Sequence, residues 1–78
     1  MDDLVAYLAR SLVDHPDAVS VEAYDEDDGS VVYELSVDES DVGKVIGRQG
    51  RIARALRTIV RASGAHQNER VQLEIVNE

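Results

Sequence analysis

Six of the eight basic residues in this 78-residue chain fall between Gly43 and Gly64, a stretch with no acidic residue: Lys44, Arg48, Arg51, Arg54, Arg57 and Arg61. The remainder is acidic. Residues 1–41 hold thirteen carboxylates against Arg10 alone, residues 65–78 hold three against Arg70, and the net charge is −8. A basic island in an acidic chain points to an anion site confined to one place. Within the island, Gly47-Arg48-Gln49-Gly50 has the geometry such a site needs. Glycine at both ends tolerates positive φ and removes side-chain bulk, so backbone can approach a ligand closely. Arg48 and Gln49 are left at the tip. A helix starting at Arg51 directs its first N–H groups and the positive end of its dipole at the turn, and Lys44, Arg48 and Arg51 surround that point with full charges. A phosphate of a single-stranded nucleic acid is the anion that fits.

The flanking sequence supplies the elements that must hold this turn. Leu4, Val5, Leu8, Leu12 and Val13 recur at spacings of three and four, which predicts a helix over about residues 3–14, capped by Asp2 or Asp3 and ended by the restriction Pro16 puts on His15. Val19, Val21 and Ala23 alternate with polar residues, as do Val31, Tyr33, Leu35 and Val37. The Asp25–Ser30 turn between them, with its Asp28-Gly29 step, makes a β-hairpin. Asp38 and Asp41 have capping-box spacing before a short helix whose apolar side is Val42, Val45 and Ile46. A longer helix follows Gly50, with Ile52, Leu56, Ile59 and Val60 on one face and Arg51, Arg54, Arg57 and Arg61 on the other. Gly64 has the character of a helix C′ residue, and Val71, Leu73 and Ile75 alternate in a last strand. The order is α-β-β-α-α-β in a single domain over residues 1–78. The strands that flank the helical pair are expected to be parallel, because the crossover between them is long and helical. The fold class is α+β, a three-stranded mixed sheet with three helices on one face.

Composition narrows the function. With no cysteine, disulfides, cysteine zinc sites and thiol catalysis are excluded. No apolar run is long enough to span a bilayer, and Met1-Asp2-Asp3 carries no basic n-region, so a cytoplasmic location is expected. The pattern Gly-x-x-x-x-Gly-Lys-Ser/Thr is absent, and Gly43, Gly47 and Gly50 lack Gly-x-Gly-x-x-Gly spacing, so neither a nucleotide P-loop nor a dinucleotide fingerprint is present. The Asp25–Asp28 run does not fit an EF-hand: with Gly29 at the invariant glycine, the first and last ligand positions fall on Tyr24 and Leu35. His15 and His66 have no co-ligands nearby in sequence. Ser11 and His15 share a helix face without a third group. No catalytic set, metal or cofactor is expected.

The stretch Val45-Ile46-Gly47-Arg48-Gln49-Gly50-Arg51-Ile52, set between two helices after Val42-Gly43-Lys44, resembles the core of a KH domain, whose GXXG loop clamps the backbone of four nucleotides. The element order is similar to the type II, bacterial KH topology. A chain holding nothing outside one such unit resembles the small stand-alone KH proteins of the KhpA type. That resemblance covers essentially the whole chain. It implies a non-catalytic protein that binds single-stranded RNA, RNA chaperone-like in role. Gly47, Arg48, Gln49 and Gly50 are then the loop, Lys44 and Arg51 the phosphate neighbours, and the bases lie in a groove beside the helical pair and the edge strand. It also implies pairing with a second copy or with a larger KH-containing protein. Tyr7, Tyr24 and Tyr33 all lie outside the basic core, so base stacking on aromatics is not evident, and weak binding of low sequence preference is expected.

Two other readings use the same residues. A Gly-x-x-Gly turn also serves as a plain helix–helix corner, and Arg54, Arg57 and Arg61 read first as a solvated helix face. A KH fold can also act mainly as a protein-interaction module, through an edge strand or an apolar helix face.

Overall fold

The computed structural model describes the backbone of residues 2–77 and the side chains of residues 3–76. The elements are α1 (Asp2–Leu12), β1 (Ser20–Asp25), β2 (Val31–Val37), α2 (Val42–Ile46), α3 (Arg51–His66) and β3 (Val71–Asn77), joined in part by 3₁₀ turns at Pro16–Ala18, Glu39–Asp41 and Arg48–Gly50. The sheet order is β1-β2-β3. β1 runs antiparallel to β2, with Val21 opposite Leu35 and Ala23 opposite Tyr33. β2 runs parallel to β3, with Leu35 opposite Ile75. Both pairings agree with the expected α+β architecture. At the hairpin tip, Gly29 takes φ 87°, and its N–H donates to the Glu26 carbonyl at 3.0 Å.

The core lies between the helices and one face of the sheet. Val5 and Ala9 of α1, Tyr33, Leu35 and Val37 of β2, Val45 of α2, Leu56 and Val60 of α3, and Val71 and Leu73 of β3 form one buried cluster. The opposite face of the sheet is mostly polar, with Tyr24 paired against the buried Val32 at one end. There the registers set Glu22 beside Glu34 and Glu34 beside Glu74. Three carboxylates thus lie in a row across strands that are about 4.8 Å apart, a like-charge arrangement that repels any polyanion from that side.

Several boundaries differ from the sequence expectation, each for a local reason. α1 ends at Leu12, not at residue 14, because the Asp14 and His15 N–H groups leave the helix to donate to the Asp41 carboxylate, at 3.2 and 2.9 Å. The anticipated cap at Asp3 falls inside the first turn of α1, and the side chain of Asp2 lies outside the described residues. The Asp38–Asp41 capping box does not form. Asp38 accepts from the Ser40 N–H at 3.0 Å and caps the 3₁₀ turn, while Asp41 turns away to α1. On α3 the buried line is Ala53, Leu56, Val60 and Gly64, and Ile59 is 41% exposed.

Gly64 does not end α3. It sits within the helix where β3 packs closest, and a Cβ there would meet Val71 Cγ2 at 2.5 Å and the Glu69 carbonyl oxygen at 3.0 Å. Termination falls instead to Asn68 at φ 60°. Its N–H donates to the Ala65 carbonyl at 3.1 Å and the Glu69 N–H to the Gly64 carbonyl at 2.8 Å, the paired bonds of a Schellman ending with asparagine at the left-handed position. Among the described residues no helix is long and apolar enough to cross a membrane.

Candidate nucleic-acid interface

The loop between α2 and α3 is fixed by its own backbone. The Gly47 N–H closes α2 by donating to the Gly43 carbonyl at 2.9 Å, and the Gly50 N–H donates to the Gly47 carbonyl at 3.1 Å. The Arg51 N–H donates to the Arg48 carbonyl. Gln49 (φ 57°, ψ 25°) and Gly50 (φ 72°, ψ 17°) are both left-handed. The two glycines serve different needs. Gly47, at φ 76° and ψ 173°, occupies backbone space essentially reserved for glycine, and a Cβ there would stand 2.6 Å from Ile52 Cγ1. At Gly50 a Cβ would meet nothing within 4 Å. Gly47 therefore seals the loop onto α3, and Gly50 leaves open space beside it.

The anticipated donors move by a residue or two. The Arg51 N–H is already used within the turn, and among the described residues no protein acceptor is found for the backbone N–H of Arg48 or Gln49. These two amides, adjacent and at the tip, form a small concavity of donors of the kind that successive N–H groups make in a turn. No side chain caps the start of α3. Arg48, Gln49 and Arg51 are exposed, with Arg51 Nη2 donating to Gln49 Oε1 at 3.4 Å. Ile46 is 37% exposed beside the loop, and Ile52 is half-buried beneath Gly47.

Lys44 sits less than one turn back and faces α1. Its Nζ lies 3.2 Å from Asp14 and 3.6 Å from Asp41, and the hydrogen bond to Asp14 with its charge raises the ammonium pKa. A phosphate at the loop competes with two carboxylates for this cation, whereas Arg48 and Arg51 make no ion pair among the described residues.

Asp41 anchors the arrangement. Its side chain is fully buried. Burial pushes its carboxyl up, but hydrogen bonds from the His15 ring and from the Asp14 and His15 N–H groups outweigh burial and hold it below the usual 3.8. His15 Nδ1–H donates to Asp41 at 3.0 Å, and this bond, with the charges of Asp41, Asp38 and Asp14, raises the imidazole above 6.5. His15, Asp38 and Asp41 bring one ligand atom each within 4.8 Å of one another, a proximity invisible in the sequence. Both Asp41 oxygens already accept backbone N–H bonds and Asp38 is held by Ser40, so a metal ion there has to displace them. Ser11 donates to the Tyr7 carbonyl.

The arginine face of α3 divides. Arg51 and Arg54 flank a shallow patch with Ala55, Thr58 and Ile59. Arg57 and Arg61 instead line a groove of about 520 Å³ between α3 and β3, and Arg70 joins them from the start of β3. Arg57 Nε donates to the Leu73 carbonyl at 3.3 Å and Arg70 Nη2 to the Asp28 carbonyl at 3.0 Å. Arg70 has no motif around it; only the parallel pairing of β3 with β2 carries it beside α3. None of the tyrosines lines this groove.

A family model described as KhpA/KhpB, KH domain, matches residues 2–75. The chain is 45% identical over 76 residues to the RNA-binding protein KhpA of Listeria monocytogenes, covering 97% of this chain and 99% of that one. It is 51% identical over 77 residues to the RNA-binding protein KhpA of Halalkalibacterium halodurans, covering 99% and 100%. The Bacillus subtilis RNA-binding protein KhpA is 47% identical over 75 residues, covering 96% and 91%. Among solved structures, Aquifex aeolicus Era bound to GDP and aluminium fluoride superposes with a TM-score of 0.63 at 20% identity. So does Era in complex with MgGDPNP and nucleotides 1506–1542 of 16S ribosomal RNA. Each match spans 97% of this chain and 29% of Era, a likeness of fold.

Two predictions follow from the geometry. Gly47→Ala lowers the urea midpoint well beyond Gly50→Ala: the first meets both Ile52 and a glycine-only conformation, costing about 3 kcal/mol, and the second only a left-handed one, costing about 1 kcal/mol. Equal midpoints contradict the division of roles. His15→Ala destabilises most at about pH 5.5 and least at about pH 9. The folded imidazole pKa is raised, so its stabilisation is complete below 6.5 and is lost as pH rises through the folded value. Denaturant titrations at the two pH values check this, and a larger loss at the higher pH refutes the pairing.

Proposed function

Given that the chain belongs to the KhpA/KhpB KH-domain family, we propose that it is a non-catalytic RNA-binding protein that holds the backbone of single-stranded RNA in the Gly47–Gly50 loop. The observation that carries this reading is the open space at Gly50 next to the two N–H groups of Arg48 and Gln49. A phosphate seated there accepts from both amides and meets the Arg48 and Arg51 guanidiniums, which suit a phosphate's several acceptors. Lys44 adds charge from the α2 side, diminished by Asp14 and Asp41. Bases extend toward the groove between α3 and β3. The carboxylate row of Glu22, Glu34 and Glu74 turns RNA away from the far face of the sheet. Binding is weak and of low sequence preference, because no tyrosine is available in the groove for stacking and the net charge is −8. The role is post-transcriptional, chaperone-like toward RNA, and cytoplasmic.

The double variant Arg48→Asp/Gln49→Asp tests the loop. Aspartate is tolerated in the left-handed region, so the fold stands while two carboxylates oppose the phosphate. Fluorescence anisotropy with labelled single-stranded RNA at low salt is expected to lose the binding signal, with an unchanged circular dichroism spectrum. Undiminished affinity sinks the reading.

A second reading, pairing with another copy or with a larger KH-containing protein, is favoured by one observation. Ile59 stands 41% exposed on the outer face of α3, with Ala55 and Thr58 around it. An apolar patch of this kind on a small domain suits a protein seam. Sedimentation at micromolar concentration, alone and mixed with such a partner, is expected to register an associated species; monomers throughout count against it.

A further inference from the structure

We infer that Arg61 and Arg70, at the end of the α3–β3 groove away from the loop, form a second phosphate anchor that lengthens the RNA footprint beyond the nucleotides clamped by Gly47–Gly50. The inference rests on the loop reading above and extends it. Three guanidiniums, those of Arg57, Arg61 and Arg70, line one groove of about 520 Å³. Two of them are held in place by backbone carbonyls, Arg57 by Leu73 and Arg70 by Asp28. A guanidinium has five N–H donors, so each keeps most of its donors for a ligand after that one bond. None of the three makes an ion pair within 4 Å among the described residues. The groove wall also carries Asp28 and Glu69. The Asp28 carboxylate is turned onto the Ser30 Oγ and N–H, at 2.6 and 2.9 Å, so it is partly spent. The wall holds three cations against two carboxylates, a local excess of positive charge in a chain of net −8.

The position suits a continuing strand. Arg54, Arg57, Arg61 and Ala65 follow one another along one side of α3, given 100° per residue. The ten residues from Arg51 to Arg61 span about 15 Å at a rise of 1.5 Å each. At about 3.4 Å per stacked nucleotide that distance takes four to five nucleotides. A strand leaving the loop along α3 therefore brings two later phosphates within reach, one at Arg61 and one at Arg70. An acidic peptide could also meet three arginines, but it does not start from the loop.

The test is a length series of labelled single-stranded RNAs, 4, 6, 8 and 10 nucleotides of one mixed sequence, titrated at several salt concentrations. Wild type is compared with Arg61→Gln/Arg70→Gln, with Arg61→Gln alone, which keeps the Arg70 bond at the hairpin tip, and with Arg48→Asp/Gln49→Asp. For wild type, affinity is expected to rise about tenfold between 4 and 10 nucleotides. The slope of log K against log salt is expected to steepen by about 1.4, since each single-strand phosphate contact adds about 0.7. The Arg61/Arg70 double variant is expected to bind the tetranucleotide within twofold of wild type and to lose both gains, and Arg61→Gln to lose about half of the slope change. The inference is overturned if the length gain persists in the double variant. It is also overturned if wild type has no length gain, or if the tetranucleotide suffers as much as the decanucleotide, which puts the arginines inside the loop's own footprint. If the loop variant binds every RNA as wild type does, the loop reading falls and this inference falls with it.

Discussion

The buried carboxylate of Asp41 is the interaction on which the helical layer depends. It accepts from the Asp14 and His15 N–H groups and the His15 ring, with Lys44 Nζ at 3.6 Å. An acid taken out of water is tolerated only when its oxygens are this well supplied with donors. The consequence is mechanical. One side chain ties the chain leaving α1 to the start of α2, five residues before Gly47, so the entry to the loop is set from behind. α2 is only Val42–Ile46, too short to hold a position by its own hydrogen bonds. Its place comes from Val45 in the core on one side and Asp41 on the other.

From that fixed start, the loop conformation follows from two glycines with unequal duties. Gly47 lets α2 and α3 close on each other over Ile52, and Gly50 lets the chain turn into α3 with free space outside it. The result is a turn closed by its own backbone hydrogen bonds, whose tip presents backbone donors and arginine side chains. Charge is segregated around it: guanidiniums along the solvent side of α3 and its groove with β3, carboxylates across the far face of the sheet and at the hairpin. In a small acidic domain, this segregation makes the proposed RNA contact directional.

Much of this was legible in the sequence. The alternating runs around Asp28-Gly29, the glycine-flanked basic turn and the two helices around it carry local signals, and the parallel pairing follows from the crossover length. What was hidden depends on contacts distant in sequence. Asp41 reads as a capping residue because its partners, 26 and 27 residues earlier, are not visible locally. Lys44 reads as a free cation for the same reason. Gly64 reads as a helix end, since its actual role, making room for Val71, exists only after β3 is in position. Asn68, a weaker signal than glycine, carries the ending instead. Arg70 joins Arg57 and Arg61 through sheet pairing alone.

The central claim, that RNA backbone is held at the α2–α3 loop, is tested most directly by following the amide resonances of the ¹⁵N-labelled protein as single-stranded RNA is added at low salt. The account predicts that the largest shifts fall on Arg48, Gln49, Gly50 and Arg51, with smaller ones along the α3–β3 groove and none on Glu22, Glu34 or Glu74. Shifts centred on the outer face of α3 or on the open sheet face, with the loop amides unmoved, contradict it.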